Sequence, residues 1–200
     1  MNPLDSSAVF PAAPRSLLRT ADAWRIVQND PFDSHGKVEF VPSDAPGSLS
    51  LKLAAGNPGT GVNYRGPVPR IDYRIEAEAR RSGGEDFFYG LTFPIHDQHA
   101  SLIIGGWSGG VTGISNLDGN SAVENATTGY QPFETGRWYS IRLEVSQKRI
   151  AAAIDGKPIL EIRTGDYQYS VWPQQQSMIP LGIATWKTSA EIRRLALATL

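Results

Sequence analysis

The residues whose types are most capable of chemistry are concentrated in one polar stretch, residues 105–128, which reads GGWSGGVTGISNLDGNSAVENATT. Sugar hydroxyls need side chains that donate and accept hydrogen bonds, and the apolar faces of sugar rings stack on aromatic rings. Trp107 is a candidate stacking platform, and Asp118, Glu124 and Asn125 are candidate polar contacts. We therefore predict a saccharide ligand here. The alternative is a surface loop in which Gly and Asn only form turns.

Carboxylates are the first requirement for cleaving a glycosidic bond, which normally takes two of them. Glu124 is the preferred catalytic candidate, because it lies in the polar stretch with Asp118 nearby. Glu76 and Glu78 are two residues apart and would share one face of a strand. Arg74 and Arg80 would lie on the same face, which favours a charge-paired surface over a catalytic pair.

A second candidate for acid–base chemistry is His96, in the sequence PIHDQH, where Asp97 could orient its ring. His96 and His99 have a spacing that two metal ligands could have, but no third ligand is evident, so we predict no metal site there. Asp118 with Asn116 and Asn120 is a candidate for a structural calcium ion. Apart from that calcium, the sequence predicts no cofactor.

Three further residues would complete a binding groove. Asn63 and Arg65 alternate with apolar neighbours in a short predicted strand, and Trp186 ends another. An arginine fork suits an acidic or oxidised sugar, whereas the alternative is an ordinary solvent-facing arginine. The predicted groove is the concave face of a sheet. Its lining residues would be Asn63, Arg65, His96, Trp107, Glu124, Asn125 and Trp186.

The elements that must position these residues are β-strands, because apolar residues recur with a period of two. Examples are residues 49–53, 73–79 and 139–145, and residues 16–27 suit either a short helix or a first strand. Twenty Gly and 14 Pro supply turns between short strands. Because helical crossover patterns are missing, we predict an all-β fold of two antiparallel sheets, a jelly-roll sandwich. Residues 15–200 would form this single domain, after a flexible arm at residues 1–14.

The clearest fold signature is residues 138–162. An alternating strand follows Gly136-Arg137-Trp138-Tyr139, and an apolar strand then ends in Asp155-Gly156-Lys157-Pro158. Asp-Gly favours the positive φ angles of a two-residue hairpin turn. This pattern resembles the central strands of concanavalin A-like and laminin-G-like domains, and residues 180–186 resemble their closing strands.

Residues 88–94, FYGLTFP, together with Gly105-Gly106-Trp107, resemble the bacterial 3-keto-disaccharide hydrolase family. The resemblance implies a glycoside hydrolase that acts on 3-keto sugars. Glu124 or His96 would then remove the proton beside the ketone, and this would assist departure of the leaving group. A non-catalytic carbohydrate-binding or adhesion module of the same fold is the alternative. A purely structural sandwich is a third reading.

The composition and the sequence pattern exclude several other classes of protein. The net charge is −1 and Lys and Arg form no dense run, so we expect no nucleic-acid partner. No apolar stretch is long enough to predict membrane insertion. The absence of cysteine excludes disulfides. Residues 1–19 do not resemble an intact signal peptide, so the protein is cytoplasmic unless a leader was removed, in which case the periplasm or the exterior is favoured. The sequence leaves the oligomeric state open.

Overall fold

A computed structural model of the protein describes residues 13–27 and 36–200. These residues form two antiparallel sheets, which confirms the predicted all-β sandwich. The predicted arm at residues 1–14 lies almost entirely outside the described residues. Within residues 16–27, the strand reading was the better one, since only one short 3₁₀ helix (Ala21–Ala23) occurs between two strands. No helix in the described part of the chain is long and apolar enough to cross a membrane.

The first sheet has the strand order β13-β12-β11-β6-β15-β4-β3, and β1 pairs with β15 outside this path. Its strands are β1 (Arg15–Ser16), β3 (Val38–Pro42), β4 (Leu49–Leu53), β6 (Tyr73–Gly84), β11 (Tyr139–Val145), β12 (Arg149–Ile154), β13 (Lys157–Arg163) and β15 (Thr188–Thr199).

The second sheet has the order β10-β9-β8-β7-β14-β5-β2. Its strands are β2 (Trp24–Ile26), β5 (Gly59–Tyr64), β7 (Tyr89–Ile95), β8 (Gln98–Gly106), β9 (Val111–Ser115), β10 (Gly129–Tyr130) and β14 (Gly182–Trp186). Two 3₁₀ helices, Thr164–Asp166 and Pro173–Met178, lie in the connection between β13 and β14.

Alternation of side chains decides which face of each strand is buried. In β6 the residues Tyr73, Ile75, Ala77 and Ala79 point into the core between the sheets. The intervening charged residues form ion pairs on the outer face, with Arg193 Nε 2.6 Å from Glu78 Oε2 and Arg80 Nη2 2.7 Å from Glu191 Oε2. This agrees with the expectation that Glu76 and Glu78 belong to a charge-paired surface.

The hairpin signature at residues 138–162 forms three consecutive strands of the first sheet, β11, β12 and β13. Asp155 and Gly156 have φ angles of 51° and 76°, as the turn requires. The Asp155 carboxylate also accepts a hydrogen bond from the Ser140 N–H at 2.9 Å. The hairpin prediction is therefore confirmed, and these residues serve the fold.

A segment of residues 166–181, here called the crossing segment, connects the two sheets, and its Met178 packs on the outer face of the second sheet. Near its start, the Gln168 N–H donates to Asp118 Oδ1 at 2.8 Å. At its other end, the Asn63 amide donates to the carbonyls of Met178 and Ile179 at 2.9 and 2.8 Å. A second apolar cluster forms beneath this segment, on the face opposite the main core. It contains Val27, Phe87, Ile103, Val111, Ala122, Met178 and Ala184.

Candidate functional site

Three tryptophans meet at one end of the outer face of the second sheet. The ring centroids of Trp107 and Trp172 are 5.4 Å apart, and those of Trp172 and Trp186 are 6.4 Å apart. Both pairs are edge-to-face, and each indole is half-buried. The Phe87 ring stacks beside Trp186 at 6.3 Å. We call Trp107, Trp172 and Trp186 the tryptophan cluster; its half-exposed rings can present apolar surface to a sugar.

Strand register brings this cluster together. Ala184 of β14 pairs with Gly90 of β7, which pairs in turn with Ile103 of β8. The end of β14 that carries Trp186 therefore lies near the end of β8 that leads to Trp107. Trp172 reaches the same place from the crossing segment, immediately before the 3₁₀ helix Pro173–Met178.

A tight turn after β8 holds Trp107. Trp107 has a φ of 45°, and the N–H groups of Gly109 and Gly110 both donate to the Gly106 carbonyl. Arg81 is 6% exposed, and its Nη2 donates to the Gly109 carbonyl at 2.9 Å from beneath the turn. The buried guanidinium therefore fixes the turn that presents Trp107.

Asp86 is the carboxylate next to the cluster. Its Oδ1 accepts hydrogen bonds from the N–H groups of Phe87 at 2.7 Å and Trp107 at 3.2 Å. Burial raises the pKa of the Asp86 carboxyl above its ordinary value, although these two donors and the charges of Arg81 and Lys187 act in the opposite direction. A carboxylate with a raised pKa is a stronger base than an exposed one, so Asp86 is suited to proton transfer.

Of the residues predicted from the sequence, the structure brings Trp107 and Trp186 together. Trp172, which was not predicted as a site residue, lies between them. Glu124 lies on an exposed loop beside β9, where its Oε1 accepts a hydrogen bond from Ser121 Oγ at 2.9 Å. Asn125 is occupied by the same loop. Its Nδ2 donates to the carbonyls of Ile114, Asn120 and Ser121 at 2.8, 3.0 and 2.9 Å.

Asp118 and Asn63 hold the two ends of the crossing segment. Asp118 also forms a turn with Gly119, where both residues have positive φ. The Asn63 side chain is 6% exposed and bonds only to backbone carbonyls of the crossing segment. Arg65 is exposed just beyond β5, at the end of that strand away from Trp186, since Trp186 pairs with Gly59.

His96 lies at the opposite end of the second sheet from the tryptophan cluster. It forms the turn between β7 and β8 with a φ of 53°, and its N–H donates to the Arg70 carbonyl at 2.7 Å. The whole of β8 separates it from Trp107, a distance of about 25 Å at the rise of an extended strand. His96 and the cluster therefore cannot contact the same sugar ring.

Metal binding has no support from acidic or histidine side chains in the described ranges. Among residues 13–27 and 36–200, no three His, Asp or Glu side chains come together as metal ligands would. Asp118 directs Oδ1 to the Gln168 N–H, and the backbones of Asn116 and Ser170 are hydrogen-bonded to each other. The calcium ion at Asn116, Asp118 and Asn120 stays a prediction.

The family follows from a match over almost the whole chain. Residues 20–198 match the family described as the 3-keto-alpha-glucoside-1,2-lyase-like domain. The chain belongs to this family. The resemblance seen in the sequence is thereby confirmed, as is the broader prediction of a carbohydrate-active protein. No curated protein matches the chain significantly.

Several solved structures share the fold of this chain. A Bacillus subtilis protein of unknown function with a galectin-like fold has a TM-score of 0.60, 12% identity, and coverage of 94% of this chain and 96% of that chain. The apo Crh5 transglycosylase has a TM-score of 0.57, 8% identity and coverage of 95% and 88%. Domain 4 of AbnA, a GH43 extracellular arabinanase from Geobacillus stearothermophilus in complex with arabinotriose, has a TM-score of 0.56, 13% identity and coverage of 94% and 92%.

Reasoning from the sequence assigned Asp86 and Trp172, which lie at this candidate site, to ordinary loops. Asp86 lies two residues after Gly84, in the sequence Gly83-Gly84-Glu85-Asp86, and that context is typical of an ordinary turn. Trp172 lies beside Pro173 in a segment that reads as a long loop. Trp172 carries the same sequence signal as Trp107, because each is a tryptophan in polar surroundings with no obvious core to fill.

Proposed function

We propose that the protein cleaves 3-keto-α-glucosides, with the tryptophan cluster binding the sugar and Asp86 acting as the base. One observation carries the proposal. Half-buried, edge-to-face tryptophans lie next to a carboxylate whose pKa is raised by burial. The cluster supplies apolar surface for a sugar ring, and the carboxylate supplies a proton acceptor beside it. The family description supports the reaction class.

In this reaction the C3 ketone acidifies the proton on C2. Asp86 removes that proton, the C2–H electron pair becomes the C1=C2 double bond, and the bond from C1 to the glycosidic oxygen breaks. The leaving oxygen takes a proton, either the one now on Asp86 or one from water, and departs as an alcohol. The products are an unsaturated 3-keto sugar and the free alcohol, so no oxidant or reductant is needed.

Asp86 replaces Glu124 and His96 as the proposed base on grounds of position. His96 is about 25 Å from Trp107 along β8. Glu124 is exposed and hydrogen-bonded to Ser121 within its own loop. Asp86, by contrast, is hydrogen-bonded directly to the backbone of Trp107. Burial also raises the pKa of the Asp86 carboxyl above its ordinary value, which makes it a stronger base than an exposed aspartate.

The test compares turnover of a 3-keto-α-glucoside by the wild type and by Asp86→Asn. Asparagine retains an oxygen that can accept the N–H groups of Phe87 and Trp107, so the turn should survive. Loss of a general base typically costs 10²–10⁴-fold in rate, and we expect kcat to fall by at least about 100-fold. Glu85→Gln is the matched control, since Glu85 is an exposed neighbouring carboxylate.

Unchanged turnover in Asp86→Asn would exclude Asp86 as the base. If Glu124→Gln abolished turnover instead, the original sequence prediction would be the correct one. Trp107→Ala tests the binding half of the proposal, because it should raise KM more than it lowers kcat.

A binding module without catalysis is the second candidate. It is favoured by one observation, that Asp86 Oδ1 already accepts two backbone hydrogen bonds and so has a sufficient structural role as a cap. In that case the wild type would bind saccharides through the tryptophan cluster and release no product from any 3-keto-α-glucoside.

A further inference from the structure

Tyr130 is a large aromatic side chain left almost wholly in solvent. It is 77% exposed, against 36–50% for the other exposed large apolar residues of the described chain. It lies in β10, the edge strand of the second sheet, and pairs with Val111 of β9. Directly paired residues point to the same face. Val111 belongs to the apolar cluster on the outer face, so Tyr130 lies on the face that carries the tryptophan cluster.

Gly110 holds the Tyr130 ring in place. A Cβ atom at Gly110 would lie 2.4 Å from Cε2 and 2.5 Å from Cζ of Tyr130, so the ring rests where any other residue would have its side chain. The Gln131 N–H also donates to the Gly110 carbonyl at 3.0 Å. The backbone thus supports the ring while most of its surface remains available to a ligand.

The same turn connects Tyr130 with the tryptophan cluster. Gly110 closes the turn that presents Trp107, since its N–H donates to the Gly106 carbonyl at 3.1 Å. Two strand spacings, about 10 Å, separate β8 from β10. Tyr130 on β10 therefore lies on the same face and at the same end of the sheet as Trp107, Trp172 and Trp186.

From this arrangement, and resting on the proposed function, we infer that Tyr130 is an outer subsite for an oligosaccharide. A sugar ring bound at the tryptophan cluster would place the next units of its chain over Tyr130, whose ring stacks on the apolar face of a pyranose. The substrate class is then a 3-keto sugar joined to a longer glycan chain, rather than a small glycoside that fills only the cluster.

The experiment is calorimetric titration of gluco-oligosaccharides, from the disaccharide to the hexasaccharide, in the α-1,4 and β-1,4 series. These unoxidised sugars lack the ketone and are not cleaved, so the heat reports binding alone. For the wild type we expect affinity to rise with chain length. Tyr130→Ala should lose that rise, with about tenfold weaker binding of the longer chains and unchanged binding of the disaccharide. Tyr130→Phe should behave as the wild type, because stacking needs the ring and not the hydroxyl.

Leu200→Ala is the control, since Leu200 is a half-exposed apolar residue that follows β15 of the other sheet. Equal affinities of wild type and Tyr130→Ala for every chain length would overturn the subsite while leaving the proposed function intact. Failure of the wild type to bind any of the sugars would also overturn the subsite, whereas the proposed function would still be decided by turnover of a 3-keto-α-glucoside. If Trp107→Ala abolished disaccharide binding and Tyr130→Ala weakened binding of only the longer chains, the subsite would stand together with the binding half of the proposed function.

Discussion

Gln175 is an unusual residue beneath the crossing segment. It is 2% exposed, and neither its Nε2 nor its Oε1 has a hydrogen-bond partner. Residues three apart eclipse one another in a 3₁₀ helix, so Gln175 shares a face with the buried Met178. Burying an unpaired amide costs free energy, whereas burying an apolar side chain of similar length does not.

We therefore predict that Gln175→Met stabilises the protein. The free energy of unfolding should rise by about 1–2 kcal/mol, the cost of an unsatisfied buried polar group, as measured by urea denaturation. Gln176→Met is the matched control, because Gln176 is exposed and its replacement should change stability by no more than about 0.5 kcal/mol. A clear loss of stability in Gln175→Met would mean that the amide is paired in solution.

Asp86 gives a pH signature that does not depend on catalysis. Because its pKa is raised in the folded protein, the folded state holds this proton more tightly than the unfolded state does. The contribution of Asp86 to stability is then present below the ordinary carboxyl pKa. It is lost as the pH rises through the raised value.

We predict that Asp86→Asn gains stability relative to the wild type as the pH rises through this window, and that the difference then levels off. Chemical unfolding of both proteins at a series of pH values measures it. Glu85→Gln should show no comparable change. A gain that appeared on lowering the pH would mean that the pKa is depressed instead.

At the scale of elements, the crossing segment depends on a glycine in β14. A Cβ at Gly182 would lie 2.6 Å from Met178 Cβ, and 2.8 Å from the carbonyl oxygens of both Met178 and Val62. Two of these contacts are with backbone atoms, which cannot move aside without displacing the segment or the neighbouring strand. The tight packing places Trp172 as well, because Trp172 lies six residues before Met178 in the same segment.

Gly182→Ala should therefore destabilise the protein by about 2–3 kcal/mol, the usual cost of overpacking. It should also weaken saccharide binding, since the displaced segment carries Trp172. Gly165→Ala is the control, because nothing lies within 4 Å of a Cβ at that position. A Gly182→Ala protein with unchanged thermal stability would show that the segment is not anchored on β14.

At the scale of the whole molecule, both sheets contribute to one core. Tyr73 and Ile141 from the first sheet, and Phe93 and Leu102 from the second, belong to the same buried cluster. The consecutive strands β14 and β15 lie in different sheets, so neither sheet can form from a continuous stretch of chain. Such an arrangement favours a single cooperative unit.

We predict one unfolding transition for the whole chain. Far-ultraviolet circular dichroism reports both sheets, whereas tryptophan fluorescence is weighted toward the second sheet through Trp24 and the tryptophan cluster. Urea transitions followed by the two signals should coincide. Separate midpoints would indicate that the crossing segment, with the tryptophan cluster, unfolds independently of the core.

Much of the architecture could be predicted because strand signals are local. Alternation in residues 73–79 and 139–145, and the Asp155-Gly156 turn, depend on neighbours a few residues away, and the structure agrees with them. The same alternation also predicted that Glu78 lies on the charged outer face of β6. Trp107 and Trp186 were proposed as ligand contacts for similarly local reasons, Trp107 from the polar stretch around it and Trp186 from its place at the end of a predicted strand.

The convergence of the site depended on the tertiary structure, because it follows from strand order and register. Insertion of β14 between β5 and β7 aligns Trp186 with the end of β8, and the crossing segment adds Trp172. Composition shows that Asn63 and Asn125 can bind hydroxyls, but only packing reveals that backbone carbonyls already occupy their amides. The sequence by itself therefore determined the sheets and the chemical types available, whereas contacts between distant segments decided which side chains meet and which remain free to bind.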